Sequence, residues 1–345
     1  MLRVRQCPGS ASVASWALLA TIGVLASGCG VGERPTLGAQ TLTSSTLPIA
    51  ATELNAEANP AGDQPAADGA VIERNEGPSI LVSPTGVVAP VVGVSDDGYQ
   101  VRTPCGEETT LVWGQPITHA DIVLDAGHGG DERGAIGPSG ETEAELNLDI
   151  ARRAAARLER EGVSVLLTRT SDYRITVQSR ALIADHVGAS ALVSIHHNSP
   201  SVEPSDTPGT EVYVQIGSDD SRRLGGLIHQ EVIASISGFD VEWTSTAEPG
   251  VLTVVNPEGE NAYGINRHPD TASVLAELAY ISNPAEATLL ATDEYRDSAA
   301  GALTRAIVRY LMTDDEGTGF VDEPRLFTPS GVTGGTDGCI DPLLE

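Results

Sequence analysis

The chain has 345 residues and a formal charge of −28, from 20 basic and 48 acidic side chains. All 20 basic residues are Arg, which excludes a Schiff-base lysine and a phosphate-cradling P-loop lysine. So acidic a balance argues against nucleic-acid binding or a polybasic membrane patch, and with aromatics at 4% the core must be built from Ala, Val, Leu and Ile.

Residues 1–28 read as a lipoprotein-type signal peptide. Arg3 and Arg5 form a positive start, and an apolar run from Trp16 to Ala26 follows. The run is too short for an ordinary spanning helix and ends in small residues. Cys29, directly after Leu25-Ala26-Ser27-Gly28, resembles a bacterial lipobox, which implies a lipid on its sulfur as the sole membrane attachment. Loss of the signal removes two Arg and leaves a charge of −30. Cys105 and Cys339 then remain. Outside the cytoplasm such a pair is most simply a disulfide, with two free thiols in flexible arms as the alternative.

Residues 29–90 are rich in Ala, Thr, Ser, Pro, Gly and acid without a lasting period, the composition of a disordered linker. Residues 91–118 contain short β-like pieces around a turn at Asp96-Asp97-Gly98 and read as a short β-rich extension. From 119 to 312 apolar strands alternate with amphipathic helices. Strands are expected at 121–125, 163–168, 191–196, 210–216, 251–255 and 273–281. Helices are expected at 143–161, 175–189, 220–237 and 293–312. The alternation predicts an α/β fold, a mostly parallel sheet with helices on both faces. Residues 313–345 return to acidic, Gly-rich composition and read as a tail.

In such sheets, sites form at the carboxyl ends of strands. His128 follows the first strand among glycines, in Asp125-Ala126-Gly127-His128-Gly129-Gly130. Glu141, Glu143 and Glu145 open the next helix. Glu145 has a structural explanation as half of a capping box with Thr142, and the other two suit the positive helix end. His196-His197-Asn198 ends a buried strand, and two imidazoles there point toward metal. Glu277 is a lone carboxylate inside the apolar run Val274–Ile281. Unpaired, it would cost several kcal/mol or shift its pKa upward, so it is either paired with Arg or tuned as an acid/base. Two His and one Glu suit a tetrahedral zinc site with an open fourth position, and a further Glu suits proton transfer beside it.

Five blocks carry a resemblance: IVLDAGHGG (122–130), GPSGETEAELNLDIA (137–151), VLLTR (165–169), ALVSIHHN (191–198) and VLAELAYISN (274–283). Together they closely resemble the zinc-dependent N-acetylmuramoyl-L-alanine amidases of the amidase-3 type. The resemblance implies a single catalytic domain over 119–312 with a six-stranded mixed sheet and one catalytic Zn2+. It implies His128, Glu143 and His196 as metal ligands and Glu277 as the catalytic acid/base. The family often has Pro at Ala126, Ala at His197, Asp at Glu132 and Asn at Asp185. His197 and Asn198 remain substrate candidates, and Asp125 a candidate acceptor that orients a ligand imidazole. The substrate implied is peptidoglycan, at the amide between the lactyl group of N-acetylmuramic acid and L-Ala of the stem peptide. Location follows in the cell envelope, anchored through Cys29 to the outer face of the cytoplasmic membrane. Some family members carry an inserted helix that plugs the site until an activator removes it. Residues 238–272 show no helical period, so an open site is expected and no activator is indicated. The competing readings are a zinc peptidase cutting stem-peptide bonds and a non-catalytic peptidoglycan-binding module.

Overall fold

The computed structural model describes residues 77–200, 202–327 and 334–345. The signal peptide, Cys29 and most of the linker read above lie outside the described residues.

Five short strands come first: β1 (Ile80–Val82), β2 (Val88–Ser95), β3 (Gly98–Arg102), β4 (Glu108–Leu111) and β5 (Gln115–Ile117). They form an antiparallel sheet in the order β4-β3-β2-β1-β5. This sheet begins earlier than the 91–118 extension, since β1 and the start of β2 fall within 29–90. The apolar pieces there, Ile80-Leu81 and Val87-Val88-Ala89, are too short to show a period, yet all five are buried. Ile80 and Val88 join the same core cluster as Val123 and Ile183 of the following domain.

That domain runs β6 (Ile122–Ala126), α1 (Glu143–Arg160), β7 (Val165–Leu167), α2 (Val177–His186), β8 (Ala191–Asn198), β9 (Glu203–Ser205), β10 (Glu211–Val214) and α3 (Asp219–Ile236). It continues with β11 (Trp243–Ser245), β12 (Val251–Leu252), β13 (Val254–Val255), α4 (Gly264–Arg267), β14 (Ser273–Tyr280), α5 (Pro284–Leu290), α6 (Asp293–Met312) and β15 (Arg325–Leu326). The main sheet has six strands in the order β12-β10-β14-β8-β6-β7. Its pairings are parallel except β10 with β14, so the sheet is mixed.

The alternation of side chains along β6 explains the layers. Ile122 and Leu124 enter a core with Ile150 and Leu158 of α1, Leu227 of α3 and Leu303 of α6. Val123 points the other way, into a core with Ile183 of α2 and Ile265 of α4. Strands buried on both faces have no reason to alternate, so they read as continuous apolar runs. Hydroxyls set the helix starts: Thr142, Thr176, Ser218 and Thr292 each accept from the amide three residues on. Helices α4 and α5, four and seven residues long, carry too little sequence to show a period. Residues 238–272 hold three short strands and α4, and no longer helix.

The described parts of the acidic tail, 313–327 and 334–345, pack against the domain. β15 pairs in parallel with β13, with Val254 opposite Arg325. Phe320 packs against the first core and lies under the Arg222 guanidinium, 3.8 Å from ring to Cζ. Leu344 packs against both the second core and the small sheet. Cys339 is joined to Cys105 by a disulfide, and the Cys105 amide donates to Asp341 Oδ1 at 2.8 Å. A composition reading misses this because single apolar anchors are diluted among Gly and acid. The disulfide closes a loop of 234 residues, so replacing both cysteines by Ser is expected to cost about 2–5 kcal/mol, measured by urea unfolding. An unchanged midpoint would show that the packing alone holds the tail.

Candidate metal centre

The site is assembled at the carboxyl ends of β6, β8 and β14, on the face that carries α2 and α4. Strand register places Asp125 opposite Ser194 and Glu277 opposite His196. Glu143 reaches the same point from the first turn of α1.

His128 is, among the described residues, the one non-glycine with a left-handed backbone, φ 62°. Two buried arginines hold its loop. Arg169 donates from Nε to Ala126 O (2.9 Å) and from Nη2 to Gly127 O (3.1 Å) and Ala144 O (2.7 Å). Arg180 donates from Nη1 to Ala126 O and from Nη2 to His128 O, both at 2.8 Å. Two glycines leave room for the site. A Cβ on Gly127 would lie 2.1 Å from His196 Nε2, and one on Gly134 would lie 2.5 Å from Glu143 Oε2. A side chain at either position would displace a functional group.

His128 Nε2 lies 3.2 Å from Glu143 Oε2, and His196 Nδ1 lies 2.9 Å from Glu143 Oε1. The imidazoles meet edge to face with centroids 4.8 Å apart. One donor atom from each of His128, Glu143 and His196 falls within 4.8 Å of the others. Donors around a tetrahedral zinc with bonds of about 2.1 Å stand about 3.4 Å apart, close to the 3.2 and 2.9 Å from Glu143 to the two imidazoles, so the nitrogen and oxygen set suits such an ion. Burial would push the Glu143 carboxyl up, but hydrogen bonds and charge from His128 and His196 hold it well below the usual carboxylate range. It also accepts from the amides of Ala135 (2.9 Å) and His197 (3.1 Å). Glu141, the other acid of that turn, is not in this group.

Glu277 keeps some exposure as a residue, but its Oε2 is shut off from solvent and has no hydrogen-bond partner. Burial, reinforced by the charges of Glu143 and Glu211, pushes its carboxyl well above the ordinary range. Among the described residues no Arg is ion-paired with it.

Three candidates stand elsewhere. Asp125 does not touch an imidazole: it is ion-paired with Arg180 and accepts from Thr168 Oγ1 and Ser194 Oγ, both at 2.6 Å. It acts on His128 through Arg180. Asn198 donates to Glu211 Oε2 at 2.9 Å. His197 faces the opposite side of the sheet from His196, because neighbours on a strand alternate. Its Nδ1 donates to Asn147 Oδ1 (2.9 Å) and its Nε2 accepts from Tyr295 Oη (3.1 Å). It is buried, which lowers its pKa to about 3, and it lies outside the donor group of His128, Glu143 and His196.

Sequence reasoning missed Arg169, Arg180 and Glu211. Glu211, 1% exposed, lies opposite Glu277 on β10 and accepts from Tyr213, Thr246 and Asn198, while Arg325 Nη2 approaches it to 2.6 Å. A carboxylate inside the short run Thr210–Ile216 is the same signal that marked Glu277. The arginines sit at a strand end and in a helix, where nothing local distinguishes them from surface charges.

The N-acetylmuramoyl-L-alanine amidase family model, Amidase_3, matches residues 122–309, more than half of the chain. The chain therefore belongs to this family. The uncharacterized protein YqiI of Bacillus subtilis is 31% identical over 209 residues, covering 60% of this chain and 90% of that protein. N-acetylmuramoyl-L-alanine amidase LytC of the same organism is 32% identical over 197 residues, covering 56% of this chain and only 36% of LytC. Cwp6 from Clostridium difficile shares the fold at 19% identity with a TM-score of 0.50, over 59% of this chain and 32% of that one.

His197→Ala would leave Tyr295 Oη and Asn147 Oδ1 buried without their partner. We expect a stability loss of about 2–4 kcal/mol in urea unfolding, with zinc affinity kept within about tenfold. Loss of zinc binding in a folded variant would instead make His197 a ligand.

Proposed function

We propose that the chain is a zinc-dependent N-acetylmuramoyl-L-alanine amidase acting on peptidoglycan. The bond cleaved is the amide between the lactyl group of N-acetylmuramic acid and L-Ala of the stem peptide. The observation that carries this reading is one juxtaposition. A two-histidine, one-carboxylate donor set and an unpartnered, shielded carboxylate share one sheet end in a member of this family.

His128, Glu143 and His196 would hold the metal, with Zn2+ as the expected ion, one per chain. Zinc in that position supplies Lewis-acid polarisation of a carbonyl and a lowered pKa for water. Glu277 takes the proton of the attacking water and later delivers it to the nitrogen of the departing peptide. Its raised pKa suits both halves, because an acid/base works best with a pKa near the operating pH. Asp125 and Arg180 fix the loop that presents His128. Arg169 fixes the same loop from the α1 side. Glu143 is kept ionised by its neighbours, which suits a ligand and not a proton donor.

Export belongs to the same proposal. The signal peptide and Cys29 put the domain in the cell envelope on a lipid tether at the outer face of the cytoplasmic membrane. The disulfide fits an oxidising compartment. Cys29→Ala is expected to move the protein from the membrane fraction to the soluble fraction.

The test is a digest of purified peptidoglycan read by mass spectrometry. Intact stem peptides with a free N-terminal Ala are expected. Release stops with a chelator and returns with zinc. Glu277→Gln lowers kcat by about a thousandfold with zinc content unchanged. Shortened peptides would move the reading to a zinc peptidase. Binding without release, with zinc in place, would make the chain a peptidoglycan-binding module.

A further inference from the structure

Two carboxylates stand side by side at the site, and their surroundings differ sharply. Glu211 of β10 and Glu277 of β14 are register partners on antiparallel strands. Partners of that kind have Cβ atoms about 5 Å apart on one face of the sheet. Both oxygens of Glu211 are engaged. Oε2 accepts from Tyr213 Oη and Asn198 Nδ2, both at 2.9 Å, and from Tyr280 Oη at 3.3 Å. Oε1 accepts from Thr246 Oγ1 at 3.0 Å and pairs with Arg325 Nη2 at 2.6 Å. Oε2 of Glu277, by contrast, is enclosed and has no partner. The proposed reaction uses Glu277 and leaves Glu211 without a task.

The cation comes from outside the family match, which ends at residue 309. Strand β15 brings Arg325 back to the domain. The Arg325 amide donates to Thr253 O at 3.0 Å, and Phe327 stacks on Tyr263 with ring centroids 5.6 Å apart. Besides Glu211, Nη2 bonds Glu248 O at 3.1 Å. The Arg325 side chain is 32% exposed, so its guanidinium has room to turn. Glu277 lies on the next strand of the main sheet and offers an oxygen that lacks a donor. An unpartnered carboxylate gains more from a guanidinium than one that is already satisfied. An ion pair there would occupy the oxygen that is to receive the proton of the attacking water.

We propose that Glu211 is a positioning residue that ties up Arg325 and so keeps the guanidinium off Glu277. The proposal deepens the amidase reading and rests on it for the role of Glu277. A second carboxylate beside the acid/base then has a purpose: it answers a cation that the chain itself brings in. Without the Glu211 charge, Arg325 turns to Glu277. Without both the charge and Arg325, Glu277 stays as it is. A role limited to bracing β10 and the end of β8 gives the opposite order, because removing a second partner from one network adds damage.

The test combines Glu211→Gln, which keeps the shape and removes the charge, with Arg325→Gln. On the zinc-loaded protein, Glu211→Gln is expected to lower kcat for a soluble muramoyl peptide about a hundredfold, with KM and zinc content within about twofold. Adding Arg325→Gln should return kcat to within about fivefold of the unaltered protein. Glu211→Asp keeps the charge at a shorter reach and should outpace Glu211→Gln about tenfold. A folded double variant still slowed a hundredfold would overturn the proposal, and that comparison holds even where Glu211→Gln alone does not fold. Glu211→Asp slower than Glu211→Gln would overturn it too. A crystal structure of metal-free Glu211→Gln gives a readout that needs no activity. Arg325 bonded to the Glu277 carboxylate is expected; Arg325 still on Glu248 O, or turned to solvent, would contradict it. This arm separates the two readings. Arg325 on Glu277, with no cleavage of the muramoyl peptide by the unaltered protein, would sink the amidase reading and keep the role of Glu211. Cleavage by the unaltered protein, with Arg325 away from Glu277 in the variant, would sink the role of Glu211 alone.

Discussion

The site depends on one buried carboxylate. Glu143 is 4% exposed and sits between two imidazoles at the start of α1. A charge in that position costs several kcal/mol unless it is matched. It is matched from every side: by the imidazoles, by the amides of Ala135 and His197, and by the positive end of the helix. Meeting that demand forces the β6 loop, the α1 N-terminus and the end of β8 to converge. The same convergence leaves a nitrogen and oxygen donor set that a divalent cation fits.

The second constraint is the backbone of the β6 loop. A left-handed histidine flanked by glycines has little to hold it, and the carbonyls it turns inward need donors. Arg169 and Arg180 supply them. Asp125 in turn balances Arg180: burial pushes its carboxyl up, and the Arg180 charge with three hydrogen bonds more than offsets this. Breaking one partner of such a pair is costly because the other charge stays buried. The side chains of the candidate metal centre are therefore positioned by a polar scaffold that lies one layer beneath them.

Most of the α/β frame was legible in the sequence. The six strands and four long helices follow from continuous apolar runs alternating with amphipathic ones. Glu277 stood out because a carboxylate in an apolar strand needs a reason. Glu211 carried the same signal and was overlooked because its run is shorter and half polar. His197 misled because adjacency in sequence suggests a pair, whereas adjacency on a strand means opposite faces. The small sheet and the packed tail were not legible. Their anchors, such as Ile80, Phe320 and Leu344, are single apolar residues whose partners lie far away along the chain. No local period records a contact of that kind. The resemblance supplied the choice between His196 and His197 and between Glu141 and Glu143, which chemistry alone had left open.

The central claim is that Glu143 and two imidazoles form a metal centre and not a closed ion-pair cluster. The direct measurement is zinc binding to the purified protein by competition with a chromophoric chelator. One zinc per chain is expected, with His128→Ala and Glu143→Gln each weakening it by about a hundredfold or more while the fold persists by circular dichroism. Absence of binding, or the same affinity in both variants, would contradict the account and leave Glu143 as a structural tie between α1, β6 and β8.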